Sequence, residues 1–403
     1  MLTPSLDLGS VAVSNFVDSP GGALRAPLQL VLCEGCGLVQ LSHTVERDIL
    51  YRQNYWYQSG INESMVIALK DVVNAAAGMV SLKEGDTWLD IGANDGTLVG
   101  LVPEGVRTIG VEPSMEMSLL AYPRMRVGST WYNTYFPLPA WADADVPPCK
   151  VITSIAMFYD LPDPNGFVAE IARMLDPEGV WVCQMGDLDS MLETNGFDAI
   201  CHEHLEYWSP ASFDALLARH GLMIAEMDQN RVNGGSLRFY VKHGKARLPQ
   251  ARVQWGDRLT AFAHRIEALR EDTRAVLADL KRGGGSIWGY GASTKGNTLL
   301  QYYGLGTSTI EAIAERSEAK WGKYTVGSWI PIASEAEMRQ ARPDYLLVLP
   351  WHFIDGFLQR EREFLEGGGR FIVPLPYLRT MGVEDADLYA KGVTTELRAL
   401  LSA

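Results

Sequence analysis

The chain has 403 residues, 47% of them hydrophobic, which is enough for two or three domains each with its own core. Its formal charge of −14 is spread along the sequence without a basic face, which argues against nucleic acid as a partner. No apolar run is long enough for a membrane helix, MLTPSLDLGS lacks a secretory pattern, and the odd count of five cysteines suits a reducing compartment, so a cytoplasmic protein is expected.

Along the chain, the first 65 residues read as irregular and end near an aromatic cluster, YRQNYWYQSG. From about Asn62, SMVIALKDVVNAAAGMV places apolar residues three and four apart, the pattern of an amphipathic helix. The turn at Gly85-Asp86 leads into TWLDI, a short β-rich run, and further strands are expected at 108–112, 151–155 and 180–184. Helical stretches such as NGFVAEIARML separate them, and such alternation implies a mostly parallel sheet covered on both faces. A long charged amphipathic helix is expected at 255–281, stopped by the glycines 283–285. A second series follows in SIWGYGA, STIEAIAE, DYLLVLP and GRFIVPLP. The expected fold class is α/β, with a small N-terminal domain (1–65) and two strand–loop–helix domains (66–248 and 249–403).

The first glycine loop, LDIGANDGTL at 89–98, ends a strand with an acid and enters a helix, and the next strand ends with Glu112 in IGVEPS. An acid precedes the first glycine, and the spacing is wrong for the pyrophosphate cradle of GxGxxG, which disfavours a nicotinamide cofactor. Asp90 suits the ammonium end of an amino-acid-like ligand, and Glu112 suits a ribose diol. Gly92, Ala93, Asn94, Gly96 and Pro113 complete the candidate cradle. A cationic adenosine ligand without phosphate points to S-adenosyl-L-methionine, with S-adenosylhomocysteine as its product.

At these residues the sequence resembles class I, Rossmann-like methyltransferases. More narrowly, it resembles the three-domain C-methyltransferases of deoxysugar biosynthesis that act on NDP-4-keto sugars. The resemblance runs through CEGCGLVQL, YWYQSGINESM, LDIGANDGTL, ICHEHLEYW, NGGSLRFYV, GYGASTKGNTLLQYYG and VGSWIPI, in order along nearly the whole chain. It implies a central class I domain, an N-terminal zinc-binding domain and a second Rossmann-like domain at the C-terminus.

CHEHLEYW, at 201–208, holds two of the seven histidines. The HEH spacing differs from HExxH, where two histidines share one helical face, so a catalytic metal is disfavoured. Methyl transfer to carbon needs removal of a proton α to a carbonyl, and histidine titrates in the range such a base requires. The resemblance assigns that role to His204, with Glu203 beside it; His202 reads as a structural histidine. It also implies, in some members, a tyrosine near the sugar carbonyl at the position of Cys201, and a thiol is a poorer hydrogen-bond donor. Tyr207 and Trp208 read as core or pocket wall, and Tyr57 or Tyr55 is expected to touch cofactor or acceptor.

In the last domain, GYGASTKGNTLL again sets small residues between a strand and a helix, without the ending of a Walker loop. The resemblance places the nucleotide-sugar diphosphate here, with Tyr290, Ser293, Lys295 and Asn297 as contacts. Ser236 and Arg238 of NGGSLRFY, and Trp351-His352 of LPWHF, are further candidates. Cys33 and Cys36 form half of a zinc knuckle, expected to be structural, with no further cysteine nearer than Cys149. The expected activity is C-3 methylation of an NDP-4-keto-deoxysugar through a base-generated enolate, in natural-product sugar biosynthesis. The alternative is C-, O- or N-methylation of another small molecule. The expected partner is a nucleotide sugar, with neither membrane nor nucleic acid, on a monomer or homodimer.

Overall fold

The computed structural model describes residues 1–53, 55–138, 141, 147–245 and 255–390. The chain groups into two compact units, one made of Met1–Thr3, Val31–Asp189 and Glu203–Trp255, the other of Pro4–Leu30, Ser190–His202 and Gly256–Ala403. The boundary expected at 248/249 lies outside the described residues.

The N-terminal region, expected to be irregular, contains strands β1 (Leu2–Ala12), β2 (Phe16–Val17), β3 (Arg25–Cys33) and β4 (Val39–Leu41). Only Leu8, Val11 and Ala12 of β1 are buried, so the alternation that announces a strand is weak there.

In the first unit, β5 (Thr87–Ile91), β6 (Arg107–Val111), β7 (Thr130–Tyr132), β8 (Cys149–Ile155), β9 (Leu175–Gly186), β11 (Leu222–Asn230) and β12 (Ser236–His243) form one seven-stranded sheet. Between β9 and β11 lies the short β10 (Glu206–Tyr207), which pairs antiparallel with β4, Glu206 opposite Gln40. The sheet order is β11-β12-β9-β8-β5-β6-β7; the five strands from β9 to β7 run parallel, and β12 is antiparallel to both of its neighbours. Chain order reverses between β5 and β8, and ligands of open α/β sheets bind at the strand ends beside such a reversal.

Helices α1 (Glu63–Gly78), α2 (Thr97–Leu101), α3 (Met115–Ala121), α4 (Pro164–Met174), α5 (Leu188–Glu193) and α6 (Pro210–Leu217) follow in chain order. The expected start of α1 is met by its cap: the Asn62 side chain accepts from the amide of Ser64. Strand alternation feeds two cores. Leu89, Ile91, Trp181 and Cys183 join Phe158, Phe167 and Phe213 on one face, while Trp88, Val180 and Val182 join Leu69, Val72 and Val73 of α1 on the other.

The 28-residue α7 (Trp255–Arg282), close to its expected span, leads into the larger part of the second unit. Its six-stranded sheet comprises β13 (Ile287–Tyr290), β14 (Ile313–Glu315), β16 (Ile332–Ser334), β17 (Tyr345–Val348), β18 (Arg370–Val373) and β19 (Arg379–Met381), while β15 (Tyr324–Thr325) pairs with β2 in a sheet of two. Leaving β15 aside, the order is β16-β14-β13-β17-β18-β19, parallel except for β19, so the chain reverses between β13 and β17. Helix α8 (Thr294–Tyr303) follows the loop after β13. Among the described residues no helix is long and apolar enough to cross a membrane.

Candidate active site

The first glycine loop leaves β5 at the reversal point of the seven-stranded sheet. Gly92 takes φ +72°, and a Cβ there would lie 2.9 Å from Cγ of Met157 on the neighbouring loop after β8. The amides of Gly92 and Ala93 both donate to the carbonyl of Val111, holding the loop against the end of β6. Glu112 follows that strand. Its Oε2 accepts from the amide of Asn94 at 2.9 Å, and its Oε1 accepts from the amide of Ser114 at 2.7 Å. The carboxylate is thereby fixed in orientation, and each oxygen keeps a lone pair for a further donor.

Burial pushes the Glu112 carboxyl up to about 7, in spite of those two N–H bonds. Asp90, 3% exposed, is also raised to about 7 by burial, although Thr153 Oγ1 donates to its Oδ1 at 2.6 Å. Pro113 offers its carbonyl to Asn133 at 3.2 Å. A glycine-containing loop, an oriented carboxylate after β6 and a second acid at the end of β5 fit S-adenosylmethionine.

The aromatic segment is tied to this loop. Oδ1 of Asn94 accepts from the amide of Ser59, and its Nδ2 donates to the carbonyl of Tyr57. Asp95, fully buried, accepts from the amide of Gly60 at 2.9 Å. Gly96 caps α2 at φ +73°. Tyr57 is 43% exposed as a residue, yet burial pushes its hydroxyl up to about 12, and burial holds the Tyr55 hydroxyl well above its usual value, reinforced by the fields of Glu112, Asp160 and Glu203.

His204 is half-buried, with its ring edge-on to Tyr159 at 4.5 Å between centroids. The amide of Leu205 donates to the carbonyl of Tyr159 at 2.8 Å, and the Tyr51 hydroxyl donates to the carbonyl of Glu203 at 2.7 Å. Asp160 is pushed well up, first by burial and then by Glu203 and Glu206. Burial raises Glu206 to about 9. His202 is 3% exposed, with Nε2 3.2 Å from the carbonyl of Ala26, and burial depresses its proton affinity, as suits a structural histidine. Cys201, Tyr207 and Trp208 are buried, and Trp208 packs on Phe158 and Phe213.

In the second unit, Ser293 caps α8 by accepting from the amide of Gly296 at 3.0 Å. Asn297, 1% exposed, donates through Nδ2 to Ser14, and its Oδ1 is buried with no hydrogen-bond partner among the described residues. The Lys295 charge acts on two neighbours. It opposes the burial that raises Asp198, whose Oδ2 accepts from Trp351 Nε1 at 3.0 Å, and it joins burial in pushing His352 well down.

Three of the expected substrate contacts hold partners within their own unit. The Tyr290 hydroxyl donates to Glu361 at 2.7 Å and accepts from Arg360. Arg238, 5% exposed, donates to Gln184 at 2.8 Å and pairs with Asp71 at 2.9 Å. Ser236 donates to the carbonyl of Val232. Both free thiols of the CxxC flank a turn closed by the amide of Gly37 donating to the carbonyl of Cys33. Backbone hydrogen bonding at Cys36 pulls the Cys33 thiol down, while burial pushes Cys36 up. Among the described residues no group of three His, Cys, Asp or Glu is placed to hold a metal, and His43 is bonded to Ser42, so the residues present do not complete a tetrahedral zinc site.

Reading motif by motif does not bring out Tyr51, Asp160 or Glu206, which come together only through the clip between 159 and 205. The position of Asp160 after β8, beside the chain reversal, is the one local sign that could have marked it.

Residues 63–226 match a methyltransferase domain family, and residues 231–376 match the C-methyltransferase C-terminal domain family. The C-methyltransferase NovU of Streptomyces niveus is 30% identical over 389 residues, covering 91% of this chain and 90% of that protein. Among solved structures, the N-methyltransferase NodS from Bradyrhizobium japonicum aligns with 46% of this chain and 99% of its own (13% identity, TM-score 0.36). An S-adenosylmethionine-dependent methyltransferase from Clostridium acetobutylicum aligns with 44% of this chain and 92% of its own (12% identity, TM-score 0.35). With an α/β fold, a cofactor cradle at the sheet reversal and a full-length relative of known type, this chain belongs to the S-adenosylmethionine-dependent C-methyltransferases.

Proposed function

We propose that the protein methylates a carbon next to the ketone of an NDP-4-keto-deoxysugar, at C-3, in the making of a natural-product sugar. Asp90, Glu112 and the 92–96 loop would hold S-adenosylmethionine, which supplies an electrophilic methyl group on a cationic sulfur. His204 withdraws the proton α to the ketone, and Glu203 stabilises the imidazolium that results. The enolate left on the sugar is the carbon nucleophile that C-methylation requires. Tyr55 is poised to donate a hydrogen bond at the junction of the two groups. Ser293, Lys295 and Asn297 are assigned to the diphosphate, where a lysine and helix N–H groups match its charge. Tyr290, Ser236 and Arg238 are the further contacts assigned to the sugar nucleotide, each already held by a partner within its own unit, and Cys201 stands where the resemblance allows a phenol.

The observation that supports this reading is that one aromatic segment is bonded to both loops: Tyr51 donates to the Glu203 carbonyl of the histidine segment, and the Tyr57 carbonyl accepts from Asn94 of the glycine loop. The test is to incubate the protein with methyl-labelled S-adenosylmethionine and a panel of dTDP-4-keto sugars, alongside His204→Ala. Labelled sugar from the wild type, lowered about 10²- to 10⁴-fold in the variant with cofactor binding retained, is expected for loss of a general base. Cofactor binding with no transfer to any keto sugar would rule out this acceptor class, and an undiminished His204→Ala would rule out the base.

A further inference from the structure

The histidine segment is backed by carboxyl groups that the chemistry above does not use. The hydrogen bond from Leu205 to Tyr159 clips residues 203–206 to the turn at 158–160. Asp160 thereby comes within the fields of Glu203 and Glu206. Glu206, on β10, is 7% exposed, and its Oε2 is buried with no hydrogen-bond partner among the described residues. Oδ1 of Asp160 is likewise buried and unpartnered among the described residues. The other titratable groups around them are the Tyr51 hydroxyl, which bonds to Asp160 and to the Glu203 carbonyl, the Tyr55 hydroxyl, and the His204 ring on Tyr159. From β4, the residue opposite Glu206 is the uncharged Gln40. Among the described residues no cation contributes to the field at Asp160. Carboxylates crowded into a low dielectric without a cation do not all ionise.

We infer that Asp160 and Glu206 form a carboxyl pair that holds a proton at neutral pH and acts as a positioning pair for the Glu203–His204 base. The inference rests on the base assignment proposed above. While the proton is held, the pair keeps further negative charge away from the imidazole, which stays neutral and able to accept a proton from carbon. When the proton leaves at higher pH, the new charge raises the proton affinity of the ring and strengthens the base. The pair makes and breaks no bond to carbon, and its proton exchanges only with solvent. The burial that raises Glu206 to about 9, and the burial and neighbours that raise Asp160, act in the same direction.

Carbon-13 NMR of the full chain, labelled at Asp and Glu carboxyls and titrated from acid to alkaline pH, tests the pair directly. Resonances with midpoints above neutrality are expected beyond those assigned to Asp90 and Glu112 by their own substitution, and they should be lost or moved in Glu206→Gln and Asp160→Asn. In turnover, kcat/KM of the wild type should rise in two steps with pH, the upper one about threefold, and Glu206→Gln should lack the upper step. A wild type in which no further carboxyl titrates above neutrality overturns the pair. So does a folded Glu206→Gln whose pH profile superimposes on that of the wild type. The NMR arm needs neither variant folding nor an acceptor. A protein that shows the high-pH carboxyls but methylates no keto sugar therefore keeps the pair and loses the substrate reading.

Discussion

Glu112 illustrates how one side chain can be bound by its own protein and still be available to a ligand. Two main-chain amides orient it, yet it is 4% exposed and raised to about 7, so desolvation outweighs both bonds. Ribose hydroxyls donate best to the ionised form, and a cationic cofactor favours ionisation. Glu112→Gln keeps the shape and removes the charge. It should weaken S-adenosylmethionine about 10- to 100-fold by isothermal calorimetry, the loss expected for charge-assisted hydrogen bonds, while leaving the fold intact by circular dichroism. Glu112 could be picked out from its own sequence neighbourhood because it ends the strand after the glycine loop. Asp160 has one local sign, its place after β8, and Glu206 lies within CHEHLEYW, but nothing near either residue shows that 46 positions of chain fold back to join them.

At the level of elements, the cradle depends on a short helix started by a glycine in the left-handed region. A Cβ on Gly96 would lie 2.9 Å from Cβ and 3.2 Å from Cα of Ala121, a fully buried residue of α3 whose backbone has little room to yield. Gly96→Ala adds strain at φ +73° to that clash and should cost about 1–3 kcal/mol in denaturant unfolding, with loss of cofactor binding. The aromatic segment hangs on the same loop through two side chains. Asn94→Ala removes the acceptor for the Ser59 amide and the donor to the Tyr57 carbonyl. Hydrogen exchange at 57–60 should then quicken about tenfold, while exchange in β5 and β6 stays unchanged, because segments held by few bonds open locally.

For the whole molecule, two buried acids leave a mark on stability. Asp90 and Glu112 are both raised to about 7, above their unfolded values, so the folded protein binds more protons than the unfolded chain between the ordinary carboxylate range and about pH 7. Their contribution is therefore full at low pH and is lost as pH rises through about 7. Each tenfold difference in proton affinity between the folded and unfolded chain is worth about 1.4 kcal/mol. A cationic ligand reverses the preference by favouring the charged forms. The gain in melting temperature from saturating S-adenosylmethionine should thus be larger at pH 8 than at pH 6, and Glu112→Gln should flatten the difference. Differential scanning fluorimetry across that range checks both.

The sequence by itself determined what is local. The amphipathic run after Asn62, the β5–glycine loop–α2 turn, the acid after β6 and the second loop after β13 each lie within a few residues, where period, turn chemistry and strand ends are set by neighbours. Tertiary structure decided the rest. It grouped residues 4–30 with the C-terminal unit, made strands of a region whose few buried side chains carry little pattern, and gave Arg238 and Tyr290 internal partners. It also set Tyr51, Tyr55, Asp160 and Glu206 around Glu203 and His204. The physical reason is that a buried charge takes its energy from whatever lies within a few ångströms, and chain order does not encode that distance.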